Sequence, residues 1–175
     1  CHAFTTMSTG GFSTRSESVA GFNSSAIEIT IIIFMILAGV NFGIYYRIRF
    51  KNWRILTHDP ELRFYLAVLI VATGLVTLEL CLKDSRGLGI GEALQKSSFQ
   101  VVSIMTTTGY GTDDFDLWPS FSRSYMVVLM FVGGCAGSTA GGMKVIRTLV
   151  LIKHSFIETE KVFRPQTVRS LKVGK

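Results

Sequence analysis

Charge is what this 175-residue sequence has least of: 17% of its residues are Asp, Glu, Lys or Arg, against about a quarter in ordinary globular chains. Cysteine is scarce too. Cys1, Cys81 and Cys135 make an odd number without disulfide or zinc spacing, and the latter two sit inside apolar runs. Buried thiols in helices are the expectation, and a disulfide or zinc framework is excluded. The three histidines, His2, His58 and His154, show no ligand spacing. No stretch interleaves aromatic and basic residues in the way that reads single strands, so the net charge of +6 calls for no nucleic acid. A cleavable signal peptide is lacking. The chain starts without Met and reads as an internal piece of a longer protein.

The chain does have long apolar runs. Ile29 to Tyr46 carries no charge over 18 residues, Phe64 to Leu82 carries only Glu79, and Ser124 to Met143 carries none over 20. Crossing roughly 30 Å of hydrocarbon takes about 20 helical residues, so three spans of a membrane protein are expected. The alternative is three buried helices of a soluble core. Arg47, Arg49, Lys51, Arg54 and Arg63 lie between the first two runs, and Lys144, Arg147, Lys153 and further basic residues follow the third. By the positive-inside rule both basic segments are cytoplasmic. The acidic stretch Asp113, Asp114 and Asp116 then faces outside, to concentrate cations or simply to be solvated. Glu79 is expected at the outer interface, and Asn41 to bond a neighbouring helix.

Two octapeptides resemble each other. MSTGGFST (Met7 to Thr14) aligns with MTTTGYGT (Met105 to Thr112) at an offset of 98, placing Thr9 on Thr107, Gly11 on Gly109 and Phe12 on Tyr110. The second is one letter from the Thr-Val-Gly-Tyr-Gly loop whose carbonyls strip water from potassium. Such a filter needs successive carbonyls facing one axis, which glycine permits. Gly10 and Gly111 add freedom beside the matched glycines. Ser8, Thr9, Thr106 and Thr107 bring hydroxyls to the inner end, and Thr108 continues the second loop. Phe12 and Tyr110 are expected to pack behind the loops as props. Between them, Glu92–Met105 reads as a helix too short and too polar for lipid, a re-entrant half-helix whose carbonyl end points at the cation path. Two ordinary Gly/Thr turns are the alternative.

The unit is span, half-helix, filter, span. Phe64–Leu82, Glu92–Met105, Thr106–Thr112 and Ser124–Lys153 form one complete copy. The first filter and Ile27–Tyr46 form the trailing half of another, whose first span and half-helix are lost. In domain terms, residues 1–53 are that trailing half, 54–160 the complete repeat, and 161–175 a cytoplasmic segment.

The third run is interrupted by GGCAGSTAGGMK, with five glycines among residues 133 to 142, a composition that forbids a stable helix. Irregular backbone at that depth survives only inside protein or beside water. Gly133, Gly134, Gly137, Ser138, Thr139, Ala140, Gly141 and Gly142 are thus a candidate pore-lining loop. Small residues for close helix packing are the other reading. Lys144 and Arg147 then either face the inner pore mouth or anchor the inner leaflet. A phosphate-binding loop is rejected: Met143 stands where its lysine belongs, Lys144 arrives one residue late, and Val145 then replaces its hydroxyl.

On STGGFST, MTTTGYGTDDFDLWP and GGCAGSTAGGMKVIR, the sequence resembles the Trk/Ktr/HKT superfamily of potassium transporters, most closely the second and third repeats of the bacterial Trk-type membrane subunit. The resemblance implies an all-α membrane protein of four pore-forming repeats in the full-length chain, pseudo-fourfold, in the multi-pass inner (plasma) membrane. It implies potassium as substrate, coordinated by Thr9, Gly10, Thr107 and Thr108, with no enzyme activity and no cofactor. Gly11 and Gly109 are implied as the filter glycines that favour potassium, and the glycine-rich loop as a gate. Homodimeric pores, lipid contact and a cytoplasmic nucleotide-binding regulatory subunit, docking on segments 47–63 and 153–175, are implied as well. Passive flux and symport both fit. A conventional tetrameric potassium channel is the alternative, and a membrane-embedded scaffold a third.

Overall fold

A computed structural model describes residues 1–49, 59–83 and 89–163. Among the described residues every regular element is helical: α1 (His2–Met7), α2 (Ser25–Ala38), α3 (Phe42–Arg49), α4 (Pro60–Lys83), α5 (Ile90–Met105), α6 (Ser120–Val132) and α7 (Val145–Phe163), with short 3-10 turns at Ala20–Phe22 and Phe115–Leu117. Residues 50–58 and 164–175, which hold most of the two basic segments and nearly all of 161–175, lie outside the described residues.

The half-helix α5 is the hub, packed against α2, α4 and α6. Several of its polar residues, which disqualify it from lipid, find partners inside the protein. The Thr77 and Ser97 hydroxyls meet at 2.6 Å, and the Gln95 amide donates to Glu28 Oε2 at 2.7 Å. Its apolar residues Phe99, Val101, Val102 and Met105 join Tyr65, Val76, Met126 and Leu129 in the core. Outward faces stay apolar: Ile70, Val71 and Leu78 on α4 and Val127, Val128 and Phe131 on α6 are all exposed, a surface that suits hydrocarbon and not water.

The three expected spans are built differently, and the third is broken at the glycine-rich loop as expected. Of the described helices, only α4 is by itself long and apolar enough to cross a membrane. Its start lies earlier than the charge-free run suggested, because Asp59 Oδ1 accepts from the N–H groups of Glu61 and Leu62 at 2.9 and 3.1 Å while Pro60 opens the helix. The first run is two helices, α2 and α3, bent by 90° at residues 39–41. Asn41 bonds not a neighbouring helix but its own turn, its Oδ1 accepting from Gly43 N–H at 2.8 Å. Gly39 lies so close to Tyr65 that a Cβ there would stand 2.3 Å from the phenol oxygen. The third run is α6 and α7 with irregular backbone between them. Glu79 is buried, accepting from the Ser122 hydroxyl and lying 3.7 Å from Lys83 Nζ. Cys135 is buried as expected, but Cys81 is exposed on the apolar outer face.

Candidate functional site

Two helix ends, 98 residues apart, are built the same way. Ser8 and Thr106 cap α1 and α5 with φ, ψ of −83°, −1° and −82°, −1°. Ser8 N–H donates to Phe4 O and Thr106 N–H to Val102 O, both at 2.9 Å. The next N–H reaches three residues back (Thr9 to Thr6, Thr107 to Ile104), and the one after that five back, Gly10 to Thr5 and Thr108 to Ser103. The backbone then alternates in hand. Thr9 and Gly11 have φ of 51° and 64°, Thr107 and Gly109 have 56° and 83°, and the residues between them keep negative φ. Alternating hand turns successive peptide dipoles toward one side. For β-branched threonine the left-handed region is a real outlier, so surrounding contacts must hold it.

Those contacts come from the glycine-rich loop. Thr9 Oγ1 donates to Thr139 O at 2.9 Å, and Thr107 Oγ1 accepts from Gly141 N–H at 2.6 Å. Thr139 Oγ1 lies 3.1 Å from Met7 O and 3.2 Å from Ala38 O. The loop therefore sits against both segments beside the carbonyl ends of α1 and α5. Gly133, Gly137 and Gly142 are left-handed within it. A Cβ on Gly133 would meet Gly141 O at 2.5 Å, and one on Gly134 would meet the Ala140 Cβ at 2.6 Å. Ser138 Oγ donates to Cys135 O at 2.6 Å, closing a turn inside the loop. Lys144 donates to Ala140 O, so its ammonium is tied to the loop.

The two segments also touch each other. A Cβ added at Gly11 would stand 1.9 Å from the Thr108 carbonyl oxygen, whereas one at Gly109 or Gly111 would meet nothing within 4 Å. Gly109, Thr107, Ser103, Ile104 and Met130 line a cleft of about 210 Å³. The expected pair of aromatic props is corrected to one. Tyr110 is buried, its hydroxyl bonded to Thr5 Oγ1 and 3.4 Å from Phe12 O, and its carbonyl accepts from Ser103 Oγ at 2.7 Å. Phe12 is 72% exposed. The Tyr110 side chain thus binds the second segment to the first, and no matching contact is returned by Phe12.

The acidic stretch is not one uniform solvated patch. Asp113 Oδ2 accepts from Trp118 Nε1 at 3.1 Å and lies 3.8 Å from Lys96 Nζ on α5, while Asp114 caps the turn at Asp116 N–H. At the matched place after the first segment, Arg15 bonds Gly21 O and lies over the Phe22 ring, 4.6 Å from its centroid. Sequence reasoning missed Glu61, which it left among basic loop residues. The carboxylate is buried and its Oε1 accepts from Ala136 N–H in the loop at 2.5 Å. The helix-start pattern Asp59-Pro60 was the available signal.

The family model described as "TrkH: Cation transport protein" matches residues 1–175. The Trk system potassium uptake protein TrkH of Salmonella typhimurium is 37% identical over 174 residues, covering 99% of this chain and 36% of that protein. Its counterpart from Halomonas elongata is 40% identical over 182 residues, with the same shares covered. The crystal structure of the potassium transporter TrkH from Vibrio parahaemolyticus superposes with a TM-score of 0.93 at 35% identity, over 99% of this chain and 37% of that one. The chain thus spans about 36% of the length of these relatives.

Proposed function

Because the chain belongs to the TrkH family of cation transport proteins, an all-α membrane family, we propose that it supplies two of the four quarters of a potassium-conducting ring. The ring sits in a bacterial inner membrane. Residues 1–53 contribute the trailing half of one pore repeat and 54–160 a complete one. The carbonyls of Thr9, Gly10, Thr107 and Thr108 replace the hydration shell of the ion. Ser8, Gly11 and Phe12, with Thr106, Gly109, Tyr110 and Gly111, complete the two segments. Residues 133–142 and Lys144 form the obstruction on the cytoplasmic side of the filter, and flux requires that it move. A homodimer, lipid around the apolar faces, and a nucleotide-binding regulatory subunit on the cytoplasmic side complete the assembly. Potassium is cargo; no covalent chemistry and no cofactor are involved.

The observation that carries this reading is the repeated hand pattern: left-handed Thr9 and Gly11 matched by left-handed Thr107 and Gly109, each pair following the carbonyl end of a helix. Helix carbonyl ends hold partial negative charge, and aligned carbonyls beyond them favour a bare cation. The test is rubidium uptake into liposomes holding the full-length protein, competed by potassium and by sodium. Potassium is expected to compete well and sodium poorly, with Gly109→Ser narrowing the difference. Equal competition by both ions, or no effect of the substitution, would refute the filter.

A further inference from the structure

Among the described residues two carboxylates are deeply buried, Glu61 and Glu79. Glu79 has the Ser122 hydroxyl and the Lys83 ammonium. Glu61 has different neighbours. Capping of α4 is done by Asp59, whose Oδ1 takes the N–H groups of Glu61 and Leu62. The Glu61 side chain is left to turn inward, 7% exposed, where Oε1 accepts from Ala136 N–H at 2.5 Å. Helix α7 packs against α4. Val145 N–H, at the start of α7, donates to Gly134 O at 3.0 Å. One acidic side chain therefore sits where α4, α7 and the glycine-rich loop meet.

The loop needs such a contact. Its left-handed glycines give the backbone wide conformational freedom. The bonds of Thr139, of Gly141 with Thr107, and of Cys135 N–H with Gly39 O at 3.0 Å are between neutral groups. None of these reaches α4, and the Glu61 carboxylate supplies that contact at Ala136 N–H. We propose that Glu61 is a positioning residue: its carboxylate pins the glycine-rich loop, at Ala136, to the start of α4. Releasing it frees the loop to leave its place beneath Thr9 and Thr107. That this motion opens a pore rests on the reading above; the pinning itself does not.

Cys135, fully buried and next to Ala136, is a native reporter of the pin. The experiment uses the full-length protein in liposomes, with every cysteine other than Cys135 replaced by serine, and follows maleimide labelling. Glu61→Ala is expected to label at least ten times faster than the parent. Glu61→Gln, whose amide oxygen still accepts from Ala136 N–H, is expected to stay within threefold of it. Labelling of Glu61→Ala at the parent rate overturns the proposal, and so does Glu61→Gln labelling as fast as Glu61→Ala. A second reporter, Met126→Cys on α6, where Met126 is 1% exposed, separates local release from general unfolding. It should stay protected in Glu61→Ala, and fast labelling at both sites also overturns the pin. Rubidium uptake by the same liposomes keeps the two ideas apart. A labelling split without any uptake sinks the pore reading and leaves the pin standing; uptake by the parent without a split does the reverse.

Discussion

Replacing Gly11 by alanine, with Gly109→Ala alongside, isolates the contact between the two threonine–glycine segments. Both glycines are left-handed, with φ of 64° and 83°, so each alanine bears a backbone cost of about 1–2 kcal/mol. Beyond that the sites differ. A Cβ at Gly109 enters open space, whereas one at Gly11 lies 1.9 Å from the Thr108 carbonyl oxygen. To reach the 3.4 Å of ordinary contact, the segments must part by about 1.5 Å. Backbone on both sides leaves no flexible side-chain end to absorb that movement. The Thr108 oxygen is one of the proposed ion ligands, and a displacement of that size removes it from a shell that tolerates far less. Gly11→Ala should therefore lose tenfold or more of the preference for potassium over sodium, equivalent to about 1.4 kcal/mol. Gly109→Ala, bearing the backbone cost alone, should lose about threefold. The assay is rubidium uptake by the full-length protein in liposomes with graded potassium or sodium as competitor, beside a thermal melt of each variant. Equal loss in the two variants would refute the reasoning, because the Thr108 contact would then contribute nothing beyond the φ cost.

Tyr110→Phe removes the hydroxyl that meets Thr5 Oγ1 across the segments. It should cost about 1 kcal/mol in the melt and loosen the preference for potassium, while Phe12→Ala, on an exposed ring, should change stability little. Glu79→Ala leaves the buried Ser122 hydroxyl without its acceptor, at a cost of about 1–3 kcal/mol. Glu79→Gln retains an acceptor and should melt close to the parent; two equally destabilised variants would assign the loss to charge instead.

What could be read in the sequence was what short-range physics dictates. The half-helix was legible because its polar and apolar residues divide by face, and the structure places Gln95 and Ser97 against Glu28 and Thr77 rather than lipid. The octapeptides were legible because Met, Thr, Gly and Thr recur at matched places, and left-handed backbone accounts for the glycines Gly11 and Gly109 but not for the threonines. The exposure of Phe12 was not, since its alignment with Tyr110 says nothing about which ring finds a partner across the interface. Asp113 was read as a free acid because Trp118 and Lys96, five and seventeen residues away, give no local sign of closing on it.

The two broken runs share one cause. The run from Ile29 to Tyr46 carries no charge, and Gly39, Asn41 and Gly43 are the modest local sign of the 90° bend after Ala38. The glycines at 133–142 announce a break there but not its partner. In the structure each break supplies what the other lacks. Gly39 O, an orphan carbonyl at the end of α2, accepts from Cys135 N–H at 3.0 Å, and Phe42 N–H, an orphan donor at the start of α3, reaches Gly137 O at 3.1 Å. Helix ends always leave such groups open, and within a bilayer no water is at hand to take them. A bend in the first run without the loop, or the loop without the bend, would bury unpaired backbone at a cost of about 1–3 kcal/mol for each group. The bend and the loop are thus one feature, written in two places about a hundred residues apart. The half rich in glycine is the more visible of the two to a reader of sequence. It follows that the position of the loop is set by α2 and α3 as much as by its own residues, with Glu61 as the contact from the third side.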